Sequence, residues 1–152
     1  MKKVLFIFLA LIYVNTSLAE HLEVYKMYEI KILSKLVKDV TRIKNPKVYF
    51  IGLDREEIKV FKKYTNIKVT LSIKDADFVF VKNLRRPLKI NKPVFSLDFK
   101  SLKYCKNCFG VFSWRNGRPM LIIFKEVINS LKIHLPEDYD YFIDSKKYIL
   151  SG

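Results

Sequence analysis

Four short apolar segments, each four or five residues long, most constrain the fold of this chain. Stretches with helical spacing or polar loops separate them. Short apolar strands alternating with such connections are typical of a mostly parallel sheet covered on both faces. We therefore predict an α/β domain with a mostly parallel sheet covered by helices. The predicted strands are Lys47–Ile51, Lys68–Leu71, Asp77–Val81 and Pro93–Leu97.

Helices are predicted before and between these strands. Residues 21–43 carry apolar side chains at helical spacing with lysines between them, which predicts an amphipathic helix. Asn45-Pro46 ends it, because the residue before proline disfavours the α region. Asp54 with Glu57 three residues on forms a capping-box pattern and predicts the start of a second helix. A short helix is expected over residues 99–104.

The last third of the chain predicts a β-hairpin followed by helices. Apolar runs at residues 111–115 and 118–124 flank Asn116-Gly117, a pair typical of a type I′ turn. Pro119 has no backbone N–H to donate, so this part of the hairpin should face an edge of the sheet. Two closing helices are predicted over residues 125–132 and 137–146.

The first residues predict export. Met1-Lys2-Lys3 precedes an apolar run of eleven residues, and small residues occupy the −3 and −1 positions of a cut after Ala19. This pattern is typical of a cleavable signal peptide, residues 1–19, and the run is shorter than a transmembrane helix requires. We expect a periplasmic protein without stable membrane insertion, with residues 20–152 forming one domain.

The formal net charge of +14 raises the question of an anionic partner. An exported protein meets little nucleic acid, so we expect no nucleic-acid partner. The basic residues are spread along the chain, and lysine exceeds arginine, which fits a biased composition. Attraction to lipid headgroups or to an acidic partner surface is the alternative interpretation.

Cys105 and Cys108 form the one recognisable chemical motif. Two cysteines at this spacing are expected to form a disulfide in an oxidising compartment. The bond could be structural, could respond to redox conditions, or could be a catalytic dithiol. The pair follows the predicted helix 99–104, whose C-terminal end disfavours a thiolate, and this argues against catalysis.

Other chemical sites find little support. Phe109 stands where a c-type haem would require histidine, and two cysteines with His21 and His134 are unconvincing zinc ligands. No cofactor, metal site or catalytic residue is predicted. Four aspartates lie near predicted strand ends, where capping or turn formation is the expected role. They are Asp54, Asp75, Asp77 and Asp98.

The hairpin offers a candidate partner-binding surface. Trp114, Arg115 and Arg118 surround its turn, and an aromatic side chain with two arginines suits a partner or an anionic ligand. An ordinary cross-strand pair with solvated arginines is the alternative.

Four segments of the chain follow one another in a familiar order, residues 48–52, 75–81, 110–118 and 131–135. This order resembles the YfiR-like family of small periplasmic proteins over most of the mature chain. The resemblance implies an α/β fold and a regulatory role, since the best-known type restrains an inner-membrane diguanylate cyclase and responds to disulfide state. The chain departs from the family pattern at Phe124-Lys125-Glu126 and in its closely spaced cysteines.

These observations lead to three functional hypotheses. The first is a non-enzymatic regulatory or sensory protein that binds an inner-membrane signalling protein. The second is a small solute-binding protein that serves transport, and the third is a thiol–disulfide redox protein. The sequence leaves open whether the domain forms a homodimer.

Overall fold

The structure, a computed structural model, describes residues 23–147 and shows a seven-stranded, mostly parallel sheet. The predicted signal peptide, residues 1–19, lies outside the described residues. The strand order is β2-β1-β3-β4-β5-β6-β7, and β5–β6 is the antiparallel pair. The strands are β1 (Lys47–Ile51), β2 (Lys68–Val69), β3 (Phe78–Val81), β4 (Val94–Ser96), β5 (Cys108–Arg115), β6 (Arg118–Phe124) and β7 (Ile143–Asp144). The α/β prediction is confirmed.

The helices lie unevenly on the two faces of the sheet. Helix α1 covers residues 23–41 and α2 covers Arg55–Tyr64, and their apolar side chains pack on one face, here called the helical face. The opposite face, the loop face, is covered by the segment 83–92 and a 3₁₀ helix, Lys100–Tyr104. Both faces of the sheet are therefore covered, as predicted, with the longer helices on one of them.

Local sequence rules explain where α2 begins. The Asp54 side chain accepts from the Glu57 backbone N–H at 2.8 Å, and the Glu57 side chain accepts from the Asp54 N–H at 3.0 Å. This is the predicted capping box, with Glu56 and Glu57 favourably placed near the N-terminal dipole.

The hairpin prediction is confirmed in detail. Asn116 and Gly117 have φ values of 51° and 72°, and Arg115 pairs with Arg118 across the turn. Strand β7 pairs with β6 only at Ile123 and Phe124, so the outer side of Pro119 has no strand beside it within the described part of the chain.

The prediction for the C-terminal region was partly wrong. Helix α3 ends early, at Lys125–Ser130, and residues 137–146 form a 3₁₀ helix, Glu137–Phe142, followed by β7. Tertiary contacts explain the difference, because Tyr139 is buried in the core and donates to Asp39 of α1 at 2.7 Å. Burial, reinforced by this hydrogen bond, raises the pKa of Tyr139.

Candidate functional site

A cavity of about 400 Å³ lies between α1 and α2 at the carboxyl ends of the central parallel strands. Leu53 follows β1, Lys82 follows β3 and Leu97 follows β4, and all three line it. After β1 the chain forms β2, which pairs with one edge of β1, and then β3, which pairs with the other edge. The cavity is therefore at the switch in strand order, where open α/β sheets bind ligands.

Aromatic side chains form much of the cavity wall. Phe50 contacts Phe61 edge to face with ring centroids 5.0 Å apart, so strand β1 and helix α2 meet through their rings. On the other side Trp114 contacts Tyr25 of α1 at 5.1 Å and Phe112 at 5.9 Å. Such walls suit the apolar part of a small ligand.

Glu29 of α1 supplies a carboxylate at this aromatic wall. Its side chain accepts a hydrogen bond from Trp114 Nε1 at 2.8 Å. Burial raises the pKa of Glu29, and the hydrogen bond from Trp114 partly opposes that rise. A half-buried carboxyl of this kind can bind a donor or a cationic group of a ligand.

An ion pair closes the cavity on the side of α2. The Lys82 ammonium contacts the Glu57 carboxylate, and both side chains are about one-third exposed. Since Glu57 also belongs to the capping box, this contact joins the start of α2 to the end of β3. Two polar pairs therefore lie at the cavity, Lys82 with Glu57 and Trp114 with Glu29.

We expect Glu29→Gln to change how stability depends on pH. A carboxyl whose folded pKa is raised binds its proton more tightly in the folded state. Protonated Glu29 therefore contributes its whole stabilisation to the free energy of unfolding below the ordinary glutamate pKa of 4.5. This stabilisation is lost as pH rises through the raised pKa. Urea unfolding of both proteins across this range should show the wild type losing stability relative to Glu29→Gln.

Trp114→Phe provides the second variant for this test. It removes the donor that lowers the pKa of Glu29, so the loss of stability should move to higher pH. If the difference in free energy of unfolding between the wild type and Glu29→Gln does not change with pH, Glu29 is solvated. That result would contradict the buried site.

The hairpin residues proposed as a partner surface do not lie together. Trp114 packs on the helical face and is half-buried, whereas Arg115 and Arg118 are exposed at the turn. Neighbouring strand residues point to opposite faces, so Arg115 projects away from Trp114. Trp114 therefore belongs to the cavity, and partner binding by the two arginines stays a prediction.

Asp77 and Asp98, two of the aspartates near the strand ends, make structural contacts. Asp77 accepts from the Lys47 N–H at 2.8 Å, and Asp98 accepts from the Asn83 and Ser101 N–H groups at 2.7 Å each. These bonds hold strand ends and the loop after β3, as capping and turn formation require.

The structure joins Cys105 and Cys108 in a disulfide at the C-terminal end of the 3₁₀ helix. Both cysteines are fully buried in the core of the loop face. The Lys146 ammonium donates to the carbonyl of Cys105 at 3.3 Å and to that of Lys106 at 2.9 Å. Burial lowers the pKa of Lys146.

We expect Cys105→Ala/Cys108→Ala to reduce the free energy of unfolding by about 2 kcal/mol, since a crosslink over a short loop restricts the unfolded chain only modestly. Urea titrations with and without reductant measure this. Reductant should destabilise the wild type by a similar amount and leave the double variant unchanged. Equal stability of reduced and oxidised wild type would contradict a stabilising role.

Several cavity residues were not predicted as site residues from the sequence, chiefly Glu29, Glu57 and Lys82. The sequence could have identified Glu29, because this charged residue lies one helical turn before Leu33 and thus at the apolar stripe of α1. Its partner Trp114 lies 85 residues away, and no local pattern connects them.

Neither the known family models nor the curated proteins give a match to this chain. Among residues 23–147, no group of three His, Cys, Asp or Glu side chains is placed to hold a metal ion. In the same residues no helix has the length and apolar character needed to cross a bilayer.

Proposed function

We propose that this chain is a non-enzymatic sensory or regulatory domain that binds a small ligand in the cavity between α1 and α2. The observation that supports it best is the cavity itself, which combines aromatic walls with a half-buried carboxyl at the switch in strand order. The ligand class that fits is a small molecule with an apolar part and a hydrogen-bond donor or cationic group facing Glu29.

The arrangement of polar groups favours binding over catalysis. Glu29 is held by Trp114, and Glu57 is engaged by both Lys82 and the capping box. A ligand would compete for these contacts and so would alter the link between α2 and the end of β3. Such a coupled movement is what a sensory domain requires.

The partner proposed for this domain is an inner-membrane signalling protein. The resemblance to YfiR-like proteins and the export pattern of residues 1–19 support that partner and a periplasmic location. The exposed hairpin tip with Arg115 and Arg118 is the proposed contact. The Cys105–Cys108 disulfide beneath the loop face is a second proposed point of regulation, since its oxidation or reduction would alter the domain.

Native mass spectrometry of the gently purified protein tests ligand binding. We expect a retained small molecule, and Val60→Phe, which adds bulk at the cavity wall, should remove it. Val24→Phe is the matched control, since the same change at an exposed position of α1 should leave the ligand bound. Retention by Val60→Phe would place the ligand elsewhere.

Photo-crosslinking in cells tests the partner. Crosslinkers at Arg118 and, as a control, at Lys62 on α2 compare the hairpin tip with the helical face. Capture of an inner-membrane cyclase, kinase or similar receptor from position 118 alone would support regulation. Capture of a permease would favour the solute-binding alternative, which the same cavity also suits.

A further inference from the structure

Positive charge is concentrated on the loop face. Residues 83–107 carry seven basic side chains and one acidic side chain, a net charge of +6. The helical face differs, because residues 23–41 and 54–64 each carry four basic and three acidic side chains. Six of the seven basic side chains on the loop face are exposed, and we call them the basic surface. They are Arg85, Arg86, Lys89, Lys100, Lys103 and Lys106.

Ion pairs follow the same asymmetry. Each of the five ion pairs among residues 23–147 includes a residue of α1 or α2. Within this part of the chain, none involves the basic surface. Asp98, the one acidic residue within the segment 83–107, accepts hydrogen bonds from the N–H groups of Asn83 and Ser101. Among the described residues, the six side chains of the basic surface are therefore not neutralised by ion pairs.

The two segments that carry the basic surface are fixed to each other. The Leu88 N–H donates to the Tyr104 carbonyl at 2.9 Å, and the Leu84 N–H donates to Ser101 Oγ at 2.9 Å. The Asn107 side-chain amide also donates to the carbonyl of Ile90. These bonds, together with the disulfide below, present the charges as one pre-organised surface.

Phe99 adds an apolar contact to this surface. It directly precedes Lys100 of the basic surface and is 36% exposed. Aromatic side chains flanked by Lys and Arg are typical of protein surfaces that lie against lipid headgroups. The long basic side chains can reach phosphates while their methylene stems lie along the boundary.

We propose that the basic surface binds an anionic lipid bilayer and holds the loop face against the membrane. A lipid surface fits better than an acidic protein, because the basic side chains are accompanied by the exposed ring of Phe99, a combination typical of surfaces that lie against lipid headgroups. The proposal does not depend on ligand binding in the cavity. It would place the hairpin and the disulfide close to membrane partners.

Co-sedimentation with vesicles tests this proposal. The purified chain should bind phosphatidylglycerol–phosphatidylcholine vesicles, bind pure phosphatidylcholine vesicles weakly, and dissociate as salt screens the charges. Lys89→Gln/Lys100→Gln/Lys106→Gln should weaken binding about a hundredfold, since each basic residue near an anionic surface contributes about fivefold. Thermal unfolding should show that this variant remains folded.

A matched variant tests whether vesicle binding depends on the basic surface or only on the net charge of the protein. Lys31→Gln/Lys38→Gln/Lys62→Gln removes the same three charges from exposed positions of α1 and α2, outside the ion pairs of the described residues. It should weaken binding by less than about threefold at moderate salt. Equal weakening by both triple variants would overturn the proposal. Both triple variants lose three positive charges, so a difference in vesicle binding between them reflects where the charges lie.

Phe99→Ser distinguishes a bilayer from other polyanions. It should weaken vesicle binding about fivefold through lost apolar burial, and should leave binding to soluble polyglutamate unchanged. Binding to polyglutamate without vesicle binding would identify an acidic protein surface instead and would overturn the proposal. Equal binding to anionic and neutral vesicles would also overturn it.

Discussion

Gly52→Ala is expected to lower the free energy of unfolding by about 3 kcal/mol or more, because two separate costs combine at this position. Gly52 has a φ of +80°, which side chains other than glycine rarely adopt. A Cβ there would also lie 2.9 Å from the carbonyl carbon of Lys82 and would overlap its oxygen. Both atoms belong to backbone, so a rotamer change cannot relieve the overlap.

Gly117→Ala is the matched control for this change. Gly117 has a similar φ of +72°, but nothing lies within 4 Å of the added Cβ. It should cost only about 1 kcal/mol, from the left-handed backbone alone. Urea unfolding of both variants measures the difference. Equal costs would show that β1 and β3 are not as close at Gly52 as the structure has them.

The Gly52 variant also bears on the cavity. The Lys82 N–H donates to the Ile51 carbonyl at 2.9 Å, so the contact next to Gly52 fixes where Lys82 leaves β3. Displacing this segment should disturb the Lys82–Glu57 ion pair. We therefore expect weaker ligand retention by Gly52→Ala than by Gly117→Ala at a temperature where both are folded.

Features that depend on neighbouring residues could be predicted from the sequence. The Asp54–Glu57 capping box, the Asn116-Gly117 turn and strand β1 were each predicted from a few adjacent side chains. Their geometry is determined mainly by local backbone preferences, which tertiary contacts did not override.

Features that depend on distant contacts could not be predicted in this way. Strand β7 has two residues, and it forms because Ile143 lies beside Ile123 at the end of β6. The cavity similarly depends on the contact of Glu29 on α1 with Trp114 on β5, 85 residues further along the chain. The basic surface was missed because its charges lie on two segments that only folding brings together.

The cavity and the basic surface lie on opposite faces of one sheet. The aromatic core beneath the cavity determines how firmly the cavity wall is held. Phe80 of β3 is fully buried and central to that core. Its ring stacks on Phe50 at 5.6 Å and contacts Phe61 at 6.0 Å, and both of these line the cavity. Phe78 and Phe95 contact it from the other side at 4.8 and 6.2 Å.

Phe80→Ala should reduce the free energy of unfolding by about 4 kcal/mol, because it removes a buried ring and leaves a cavity among rigid neighbours. Phe99→Ala, the same change at an exposed position, should cost less than about 1 kcal/mol. If Phe80→Ala does not fold, Phe80→Leu should still cost about 1 kcal/mol and weaken ligand retention through a looser cavity wall. Similar costs at positions 80 and 99 in urea unfolding would contradict a central core role for Phe80.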